Sequence, residues 1–469
     1  MKVRNDIALF EYCYLVSQES DVIPKPYEIE VVTSAAFRYL KEIALGSGDD
    51  NRLFRLCRKQ GAEALQVQNY AGVIFTPDGT QIEVLPKLVR GSLNSNVDSG
   101  KSIEDYRNEA RKSLLVMLRA LKGFSHIQTS SANVQQQKMP LLEVFISQFL
   151  DSLGALVKKG IRSDYVRQQD NLSFLKGKLD IAKHLRKNVV TKHKFYCEYD
   201  EFLQDRPANR LLHSALYKLR SFTRNSANQK RLQELLFVFD EIPQSADYKS
   251  DFARLRIDRG MRYYETPLAW AKLILESFSP QTMQGDNHAI SLLFPMEKVF
   301  EDYVAMVLRQ QLHRDYQLKT QASSQYLVTH NQSQWFRLKP DLVIKKDKQV
   351  ISVLDTKWKL IDPSKANGSD KYGLSQSDFY QMFAYGNNYF DDEAQCDREM
   401  FLIYPAHDGF AKPIEQSFDF RLNNGRSLKL WVVPFVIETQ KSANSRVVWS
   451  TEFTGKEWLC YKYVYTLPT

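Results

Sequence analysis

Two short apolar runs separated by a polar stretch constrain the fold of this 469-residue chain more than any other feature. The first run spans residues 338–344 (LKPDLVI), and the second spans residues 350–359 (VISVLDTKWK). Residues 345–349 between them (KKDKQ) are all charged or polar. Apolar residues at strand period on both sides of a polar turn predict a β-hairpin.

Three charged side chains of this hairpin are predicted to lie on one face. Asp355 and Lys357 are two positions apart on the second strand, so their side chains point to the same side. If Ile344 pairs with Val350, Asp341 also lies on that side, diagonal to Asp355. Two carboxylates and a lysine would then converge on one spot.

This set of side chains suits metal-assisted hydrolysis of a phosphodiester bond. Mg²⁺ takes one or two protein carboxylates together with water and phosphate oxygens, and a nearby lysine can stabilise the charge of the transition state. Pro340 and Asp341, followed by Asp355 and Lys357, resemble the signature of the PD-(D/E)xK nuclease superfamily. The alternative is a solvated hairpin edge. The apolar residues that precede Asp355 favour a functional site, because an unpaired charge on a buried strand is costly.

The elements around the hairpin complete an α/β fold. Ser375–Tyr389 is a predicted helix with Gln381 and Tyr385 on one face, and Met400–Tyr404 is a short apolar strand. Met296–Gln310 is a predicted amphipathic helix that precedes the hairpin. The order is that of the αβββαβ nuclease core, so we expect a multi-domain α/β protein with this core at its C-terminal end.

The length of the chain predicts several domains, since one ordinary core does not organise so many residues. Residues 1–100 are expected to form a small α/β domain with a hairpin around the turn 76–80 (TPDGT). Residues 101–290 are expected to be mainly helical and basic, and residues 291–469 to form the nuclease domain. The Ser-, Asn- and Gly-rich stretch 91–100 is predicted to be a linker.

Charge and motifs narrow the possible partners. The net charge of +9 permits binding to a polyanion. The Lys- and Arg-dense stretch 158–194 is either a solvated face or a contact surface for nucleic acid phosphates or an acidic partner pore. The chain contains no P-loop sequence, so another subunit must supply any nucleotide-driven step.

Cysteine usage and hydropathy predict a cytoplasmic protein. The five cysteines are scattered without a C-x-x-C pair, which argues against a zinc ribbon or a disulfide framework and fits a reducing compartment. No run of about 18 apolar residues occurs, so no membrane association is expected.

Taken together, the motifs resemble those of the McrC family, the nuclease subunits of McrBC-type modification-dependent (type IV) restriction systems. The resemblance rests on short segments whose order and spacing are specific in combination. In chain order they are 71–74 (AGVI), 82–87 (IEVLPK), 175–180 (LKGKLD), 201–202 (EF), 208–212 (ANRLL), 294–301 (FPMEKVFE), 340–341 (PD), 355–357 (DTK), 378–385 (DFYQMFAY) and 403–405 (IYP).

The resemblance implies a motor partner. McrC-type proteins act with McrB-like AAA+ GTPase hexamers, stimulate their GTP hydrolysis, and plug the motor ring with a part outside the nuclease domain. On this basis the basic middle domain would be the plug, and GTP would be bound by the partner. Recognition of the modified base would also lie in the partner.

The resemblance also implies a role for each site residue in an endodeoxyribonuclease. Asp341 and Asp355 would bind Mg²⁺, with Mn²⁺ as a possible replacement. Glu301 would complete the metal site from the leading helix. Lys357 would position or activate water, and Gln381 would line the site.

Contacts to double-stranded DNA are expected beside these residues. Lys359 at the strand end and Tyr385 on the helix would contact the DNA backbone. For Gln381 and Tyr385 the alternative is a helix face that only packs against the sheet.

Two other functions remain compatible with the sequence. One is a free-standing repair or mobile-element nuclease of the same superfamily, which would need no motor. The other is a non-catalytic assembly subunit that activates a partner NTPase. The presence of both acids and the lysine argues against the second.

Overall fold

The structure is a computed structural model of the chain, and two compact units are distinguished in it. The second unit is Met139–Gln281, and the first unit combines Met1–Lys138 with Thr282–Thr469. The structure describes residues 6–25, 27–46, 53–89, 102–121, 139–277, 281–282, 288–347, 349–390, 398–421, 427–438, 445–449 and 458. The predicted linker 91–100 lies outside the described residues. In the described part, no helix has both the length and the apolar character needed to cross a bilayer.

The described helices and strands are numbered in chain order. The helices are α1 (Ser34–Gly46), α2 (Ile103–Leu118), α3 (Leu141–Lys159), α4 (Ile181–Lys187), α5 (Pro207–Leu219), α6 (Ser226–Val238), α7 (Tyr248–Arg254), α8 (Glu265–Ser277), α9 (Met296–Gln311) and α10 (Gln376–Tyr389). The strands are β1 (Asp6–Phe10), β2 (Tyr14–Ser17), β3 (Ile29–Val32), β4 (Phe54–Lys59), β5 (Ala62–Val67), β6 (Tyr70–Phe75), β7 (Gln81–Leu85), β8 (Asp164–Leu172), β9 (Lys178–Leu179), β10 (Phe195–Leu203), β11 (Gln281–Thr282), β12 (His288–Pro295), β13 (Tyr316–Thr320), β14 (Gln325–His330), β15 (Ser333–Leu338), β16 (Leu342–Lys346), β17 (Gln349–Thr356), β18 (Arg398–Pro405), β19 (Phe418–Arg421), β20 (Ser427–Val436) and β21 (Arg446–Val447).

The second unit is largely helical and also contains a three-stranded antiparallel sheet in the order β8-β10-β9. The sequence does not predict this sheet, because residues 164–172 (DYVRQQDNL) are mostly polar and lack an apolar alternation. Among the helices, the buried Glu143 of α3 accepts hydrogen bonds from the backbone N–H groups of Arg224 (2.6 Å) and Asn225 (3.0 Å). This carboxylate therefore satisfies donors next to the start of α6.

The predicted N-terminal hairpin is confirmed in the first unit. β6 and β7 are antiparallel with Ile74 opposite Ile82, and the Asp78 side chain in the turn accepts hydrogen bonds from Thr76 Oγ1 (2.5 Å) and Thr80 N (3.3 Å). These bonds are typical turn chemistry for an aspartate.

The N-terminal sheet also includes residues from much later in the chain. β12 pairs with β6 in the order β1-β7-β6-β12-β11. Gly72 permits this close approach, because a Cβ there would lie 2.0 Å from the Leu292 carbonyl oxygen and its φ is +140°. Arg111 of α2 forms a buried ion pair with Glu83 of β7 (2.7 Å).

The second unit spans Met139–Gln281, whereas the predicted middle domain spans residues 101–290. The N-terminal boundary lies later because α2 packs with the N-terminal sheet in the first unit. A separation of the first unit into domains 1–100 and 291–469 stays a prediction.

A seven-stranded mixed sheet forms the C-terminal part, in the order β13-β16-β17-β18-β20-β19 with β21 paired to β20. Along the chain, α9, β13, β16, β17, α10 and β18 occur in this order, with β14 and β15 inserted between β13 and β16. That they form an αβββαβ nuclease core stays a prediction. α10 packs on one face of this sheet, where Met382 joins a core that includes Val353 and Leu402. Val432 of β20 belongs to the same core. Phe435 of β20 points to the other face of the sheet, because side chains alternate along a strand. There it contacts Phe300 of α9, with ring centroids 5.8 Å apart.

The predicted register of the central hairpin is wrong by two residues. Ile344 pairs with Ser352 rather than with Val350, which is opposite Lys345. A β-bulge between Ile344 and Lys345 places one extra residue on β17, and such a bulge cannot be read from an apolar pattern.

A buried network of hydrogen bonds connects the N-terminal sheet to the residue that follows Lys357. Trp358 Nε1 donates to both carboxylate oxygens of Glu11 (3.1 and 3.0 Å), and the Lys87 backbone N–H donates to the same group (3.0 Å). Lys87 Nζ donates to the Trp358 carbonyl oxygen (2.7 Å). Burial raises the pKa of Glu11 to about 7, although the charge of Lys87 lowers it.

Lys87→Met removes the ammonium group beside buried Glu11. Near pH 8.5 we expect the free energy of unfolding to fall by about 3–5 kcal/mol, because the ionised and buried Glu11 would lose the positive charge that offsets its burial. Folding raises the pKa of Glu11 from 4.5 to about 7, so the folded state favours the protonated carboxyl group. This contribution to stability is complete below pH 4.5 and is lost as the pH rises through about 7. Near pH 5.5 the loss should therefore be much smaller, because neutral Glu11 needs no counter-charge.

Urea unfolding at both pH values measures this effect. Lys319→Met, at an exposed lysine of β13, is the control and should change the stability by less than about 0.5 kcal/mol. Equal losses for Lys87→Met at the two pH values would contradict the assignment.

Candidate active site

The corrected register makes Asp341 and Asp355 direct neighbours. Leu342 at the start of β16 pairs with Leu354 near the end of β17, so the next residues along the two strands, Asp341 and Asp355, lie opposite each other rather than diagonally. Asp341 Oδ2 accepts hydrogen bonds from Thr356 N (2.9 Å) and Thr356 Oγ1 (2.7 Å). These bonds fix the first carboxylate at the strand end.

Asp355 and Lys357 form a close ion pair. Asp355 is only 1% exposed, and Lys357 Nζ lies 2.6 Å from Asp355 Oδ2. Neither oxygen of Asp355 has a well-aligned hydrogen bond to any described residue. A buried carboxylate in this state retains lone pairs for a further ligand.

Burial raises the pKa values of both acids. For Asp341 burial is the larger cause, followed by the charge of Asp355, and the pKa rises to about 6. For Asp355 burial raises the pKa, while the neighbouring Lys357 counteracts the rise. Burial would lower the pKa of Lys357, but the negative charge of Asp355 outweighs it and raises that pKa. Lys357 therefore stays charged next to an acid pair that is costly to ionise.

Helix α10 positions the lysine through a chain of hydrogen bonds. Lys357 Nζ donates to Gln381 Oε1 (2.9 Å), and Gln381 Nε2 donates to the Tyr385 hydroxyl (2.7 Å). The Tyr385 hydroxyl in turn donates to the Lys339 carbonyl oxygen (2.9 Å). Tyr385 is 4% exposed, and this burial does not fit the predicted contact with the DNA backbone.

Asp378 is a site residue that the sequence reasoning missed. It is buried, and its carboxylate lies 3.1 Å from Lys359 Nζ and 3.9 Å from Lys357 Nζ. The signal was available in the helical spacing, since Asp378 precedes Gln381 by three residues and Tyr385 by seven. Lys359 is half-exposed, which leaves its ammonium group accessible although it is paired.

Glu301 lies near the acid pair but has its own partners. It is 8% exposed, and its Oε1 accepts from Gln321 Nε2 (2.6 Å) and from Lys298 Nζ (3.1 Å). The Gln321 backbone N–H donates to the Asp341 carbonyl oxygen (2.8 Å), so Gln321 bridges α9 and the site. Burial raises the pKa of Glu301, the hydrogen bond from Gln321 lowers it, and the charge of Asp341 raises it further.

The donor set fits a hard divalent cation. Among the described residues, no group of three or more His, Cys, Asp or Glu side chains is arranged to hold a metal ion. Mg²⁺ does not require three, because it is usually bound through one or two carboxylates with water and substrate oxygens. Asp341 and Asp355 supply two oxygen ligands, and Asp355 has the unsatisfied lone pairs that such an ion would use.

Comparison with known proteins places this site in a family. The sequence profile described as "McrBC 5-methylcytosine restriction system component" matches residues 65–405, a range that includes Asp341, Asp355, Lys357 and Gln381. No curated protein sequence matches the chain significantly.

Two solved structures resemble the fold. The first is a chain of the tetradecameric assembly of Thermococcus gammatolerans McrB AAA+ hexamers with bound McrC; it has 18% sequence identity and a TM-score of 0.62, and the match covers 94% of this chain and 96% of that one. The second is a chain of the Thermococcus gammatolerans McrBC complex, with 20% identity and a TM-score of 0.44 over 65% of this chain and 87% of that one. The first match supports the mixed α/β multi-domain fold, and the profile covers well over half of the sequence. The chain belongs to the family of McrBC 5-methylcytosine restriction system components.

Proposed function

We propose that this chain is the Mg²⁺-dependent DNA endonuclease subunit of an McrBC-type restriction complex. The observation that carries the proposal is the meeting of Asp341, Asp355 and Lys357 at adjacent strand ends, where the buried carboxylate of Asp355 lies 2.6 Å from the Lys357 ammonium group. A fold that needed only stability would not place two carboxylates with raised pKa values side by side, so the arrangement favours function.

In this proposal Asp341 and Asp355 hold the metal. When bound, Mg²⁺ supplies Lewis-acid stabilisation of the charge that develops on the scissile phosphate. Thr356 orients Asp341 through its backbone and hydroxyl groups, and the burial of Asp355 keeps its oxygens out of bulk water. The pair therefore offers a preformed anionic site.

Lys357 is the proposed group that positions the attacking water and stabilises the transition-state charge. Gln381 holds its ammonium group from one side, and Asp378 contributes a second, more distant negative charge. An amine that is held and kept protonated acts as a fixed positive charge rather than as a base in its resting state.

The part of Glu301 in the metal site stays a prediction. Its carboxylate would have to release Gln321 or Lys298 before it could become a ligand. As it stands, Glu301 acts on Asp341 through Gln321 and through its charge.

The partner is proposed to be a McrB-like AAA+ GTPase hexamer. The similar fold is found in an assembly of McrB AAA+ hexamers with bound McrC, and the absence of a P-loop from this sequence is compatible with a separate motor.

The second unit supplies a candidate docking surface for that motor. Tyr165 of β8 and Phe202 of β10 are 71% and 61% exposed with ring centroids 5.1 Å apart, and Val190 is 90% exposed. Exposed apolar side chains on a small sheet are typical of an interaction surface.

A reconstituted cleavage assay tests the proposal. The chain is mixed with a McrB-like P-loop GTPase, and the cleavage of methylated and unmethylated DNA is compared with and without GTP and Mg²⁺. We expect cleavage only when all components are present. Efficient cleavage by the chain alone, without GTP, would favour a free-standing nuclease; GTPase stimulation without any cleavage would favour a non-catalytic assembly subunit.

Asp355→Ala should abolish DNA cleavage while the stimulation of the partner's GTPase is retained. We expect the cleavage rate to fall by at least about 100-fold, because a charge-organising group of the site is lost. Asp347→Asn, in the exposed turn of the same hairpin, is the matched control and should cleave at the wild-type rate. Loss of both activities in a folded Asp355→Ala protein would contradict this division of roles.

Asp341→Asn should stabilise the metal-free protein at alkaline pH. Folding favours the protonated form of Asp341, so its contribution is complete below the ordinary pKa of 3.8 and is lost as the pH rises through about 6. Near pH 8 in EDTA we expect the variant to be more stable than the wild type by about 1–2 kcal/mol, allowing for partial exposure. Near pH 4 the difference should vanish.

Thermal and urea unfolding in EDTA and in millimolar Mg²⁺ provide the measurement. Mg²⁺ should stabilise the wild type and the Asp347→Asn control but not Asp341→Asn, since only the native acid pair binds the ion. A wild type that is unaffected by Mg²⁺ would oppose the metal assignment.

A further inference from the structure

A two-stranded ribbon, here defined as Gln325–Leu338, extends next to the candidate active site. It consists of β14 and β15, which pair only with each other among the described strands. Along its length every residue is exposed apart from Tyr326, which is half-buried, and Leu338, which is buried at the base. An isolated two-stranded ribbon is marginally stable by itself, and apart from its base this one presents nearly all of its side chains to solvent.

The ribbon displays large apolar side chains to solvent. Leu327, Val328, Trp335 and Phe336 are 47%, 45%, 48% and 68% exposed. Phe336 has a φ of +56°, a left-handed conformation that a bulky residue rarely adopts. Such a display indicates an interaction surface.

One face of the ribbon is organised around an arginine and two aromatic rings. Tyr326 is opposite Arg337 and Val328 is opposite Trp335, so these four side chains share a face. The Arg337 guanidinium lies 5.2 Å from the centre of the Tyr326 ring and donates to its hydroxyl through Nη2 (2.6 Å) and Nε (3.1 Å). His330 contacts Trp335 edge-on at 5.2 Å. The arginine is therefore held in place by a neutral partner and keeps its full positive charge for a ligand.

The charge of this region selects the kind of ligand. Residues 316–340 include Lys319, Arg337 and Lys339 but not a single Asp or Glu. The ribbon itself is rich in amide, hydroxyl and imidazole groups (QYLVTHNQSQWFRL). Positive charge without acids, combined with neutral hydrogen-bonding groups and exposed aromatics, fits a nucleic acid better than a protein surface of mixed charge.

The base of the ribbon is fixed to the elements of the site. The Tyr389 hydroxyl of α10 lies within hydrogen-bond distance of the carbonyl oxygens of Leu338 (3.1 Å) and Ala322 (2.7 Å). Lys339, the next residue, accepts from Tyr385 through its carbonyl oxygen, and two residues further on is Asp341. A duplex held by the ribbon would therefore pass the acid pair.

We propose that the ribbon Gln325–Leu338 inserts into a groove of double-stranded DNA and holds the duplex against the candidate active site. A two-stranded β-ribbon has dimensions that the major groove accepts. Arg337 contacts phosphate or a base edge, Lys339 contacts the backbone at the ribbon base, and Trp335 packs against the sugar–phosphate wall. This inference rests on the proposed function and names the surface by which that site takes its substrate.

Duplex binding by the full-length chain in EDTA tests the inference, because no cleavage occurs there. The probe is a fluorescently labelled 30-base-pair DNA, and its anisotropy is measured between 50 and 200 mM NaCl. We expect Arg337→Gln to weaken binding about 10-fold at low salt and to reduce the salt dependence by about one ion equivalent. Trp335→Ala should weaken binding to a similar extent but leave the salt dependence unchanged.

Arg314→Gln is the matched control. Arg314 is exposed and lies just before β13. Thr320, at the other end of β13, pairs with Leu342, the neighbour of Asp341. Arg314 is therefore at the end of the strand that is remote from the acid pair. This variant should bind DNA with the wild-type affinity. Thermal unfolding of each variant verifies that the fold is retained.

The outcomes separate this inference from the proposed nuclease. Equal affinities of Arg337→Gln, Trp335→Ala and wild type, or no binding by the wild type at 50 mM NaCl, would overturn it. If the two variants bind DNA normally but no longer stimulate the partner GTPase, the ribbon is a protein-docking surface and the inference fails. Weakened binding by both ribbon variants would support it even if cleavage were never observed, whereas a lack of cleavage would count only against the nuclease.

Discussion

The site depends on the cost of holding two carboxylates side by side in a poorly solvated place. Like charges at adjacent strand ends repel, and burial removes the water that would otherwise screen them. Lys357 offsets part of this cost, and Thr356 offsets another part by donating two hydrogen bonds to Asp341. The remainder is visible in the raised pKa values of both acids. A divalent cation would neutralise the remaining repulsion between the carboxylates. The geometry that destabilises the metal-free fold therefore suits a metal site.

The surrounding structure keeps this arrangement rigid from two directions. From α10, Gln381 and Tyr385 connect Lys357 to the backbone at Lys339, so the lysine and the strand that precedes Asp341 cannot move independently. From the N-terminal sheet, Glu11 and Lys87 hold Trp358, the residue that follows the lysine. A side chain that must place charge within a fraction of an ångström benefits from such support, because catalytic groups lose effectiveness when they are loosely held.

Different surfaces of the molecule carry different interactions. The first unit contains the acid pair and the exposed ribbon, whose composition fits a polyanion. The second unit carries the exposed aromatic side chains of Tyr165 and Phe202 on its small sheet and the exposed Val190 before β10, which fit a protein partner. This separation is consistent with the proposal of a subunit that engages DNA and a motor through different parts.

Much of the site could be predicted from the sequence, because the strand period of residues 350–359 and the helical spacing of Gln381 and Tyr385 are local properties. The hairpin of β16 and β17, the helix α10 and the membership of Asp341, Asp355 and Lys357 in one cluster follow from them. The register did not, since a β-bulge at Ile344 depends on how the strands twist in the sheet. Helical spacing places Asp378 on the face of Gln381 and Tyr385, but its contacts with Lys357 and Lys359 needed coordinates, because these lysines come from another element. Residues 11, 87 and 358 are far apart in the chain, and only the paired sheets bring them together. Local patterns thus determined which residues gather at the proposed site, and tertiary packing decided their distances, their burial and therefore the directions of their pKa shifts.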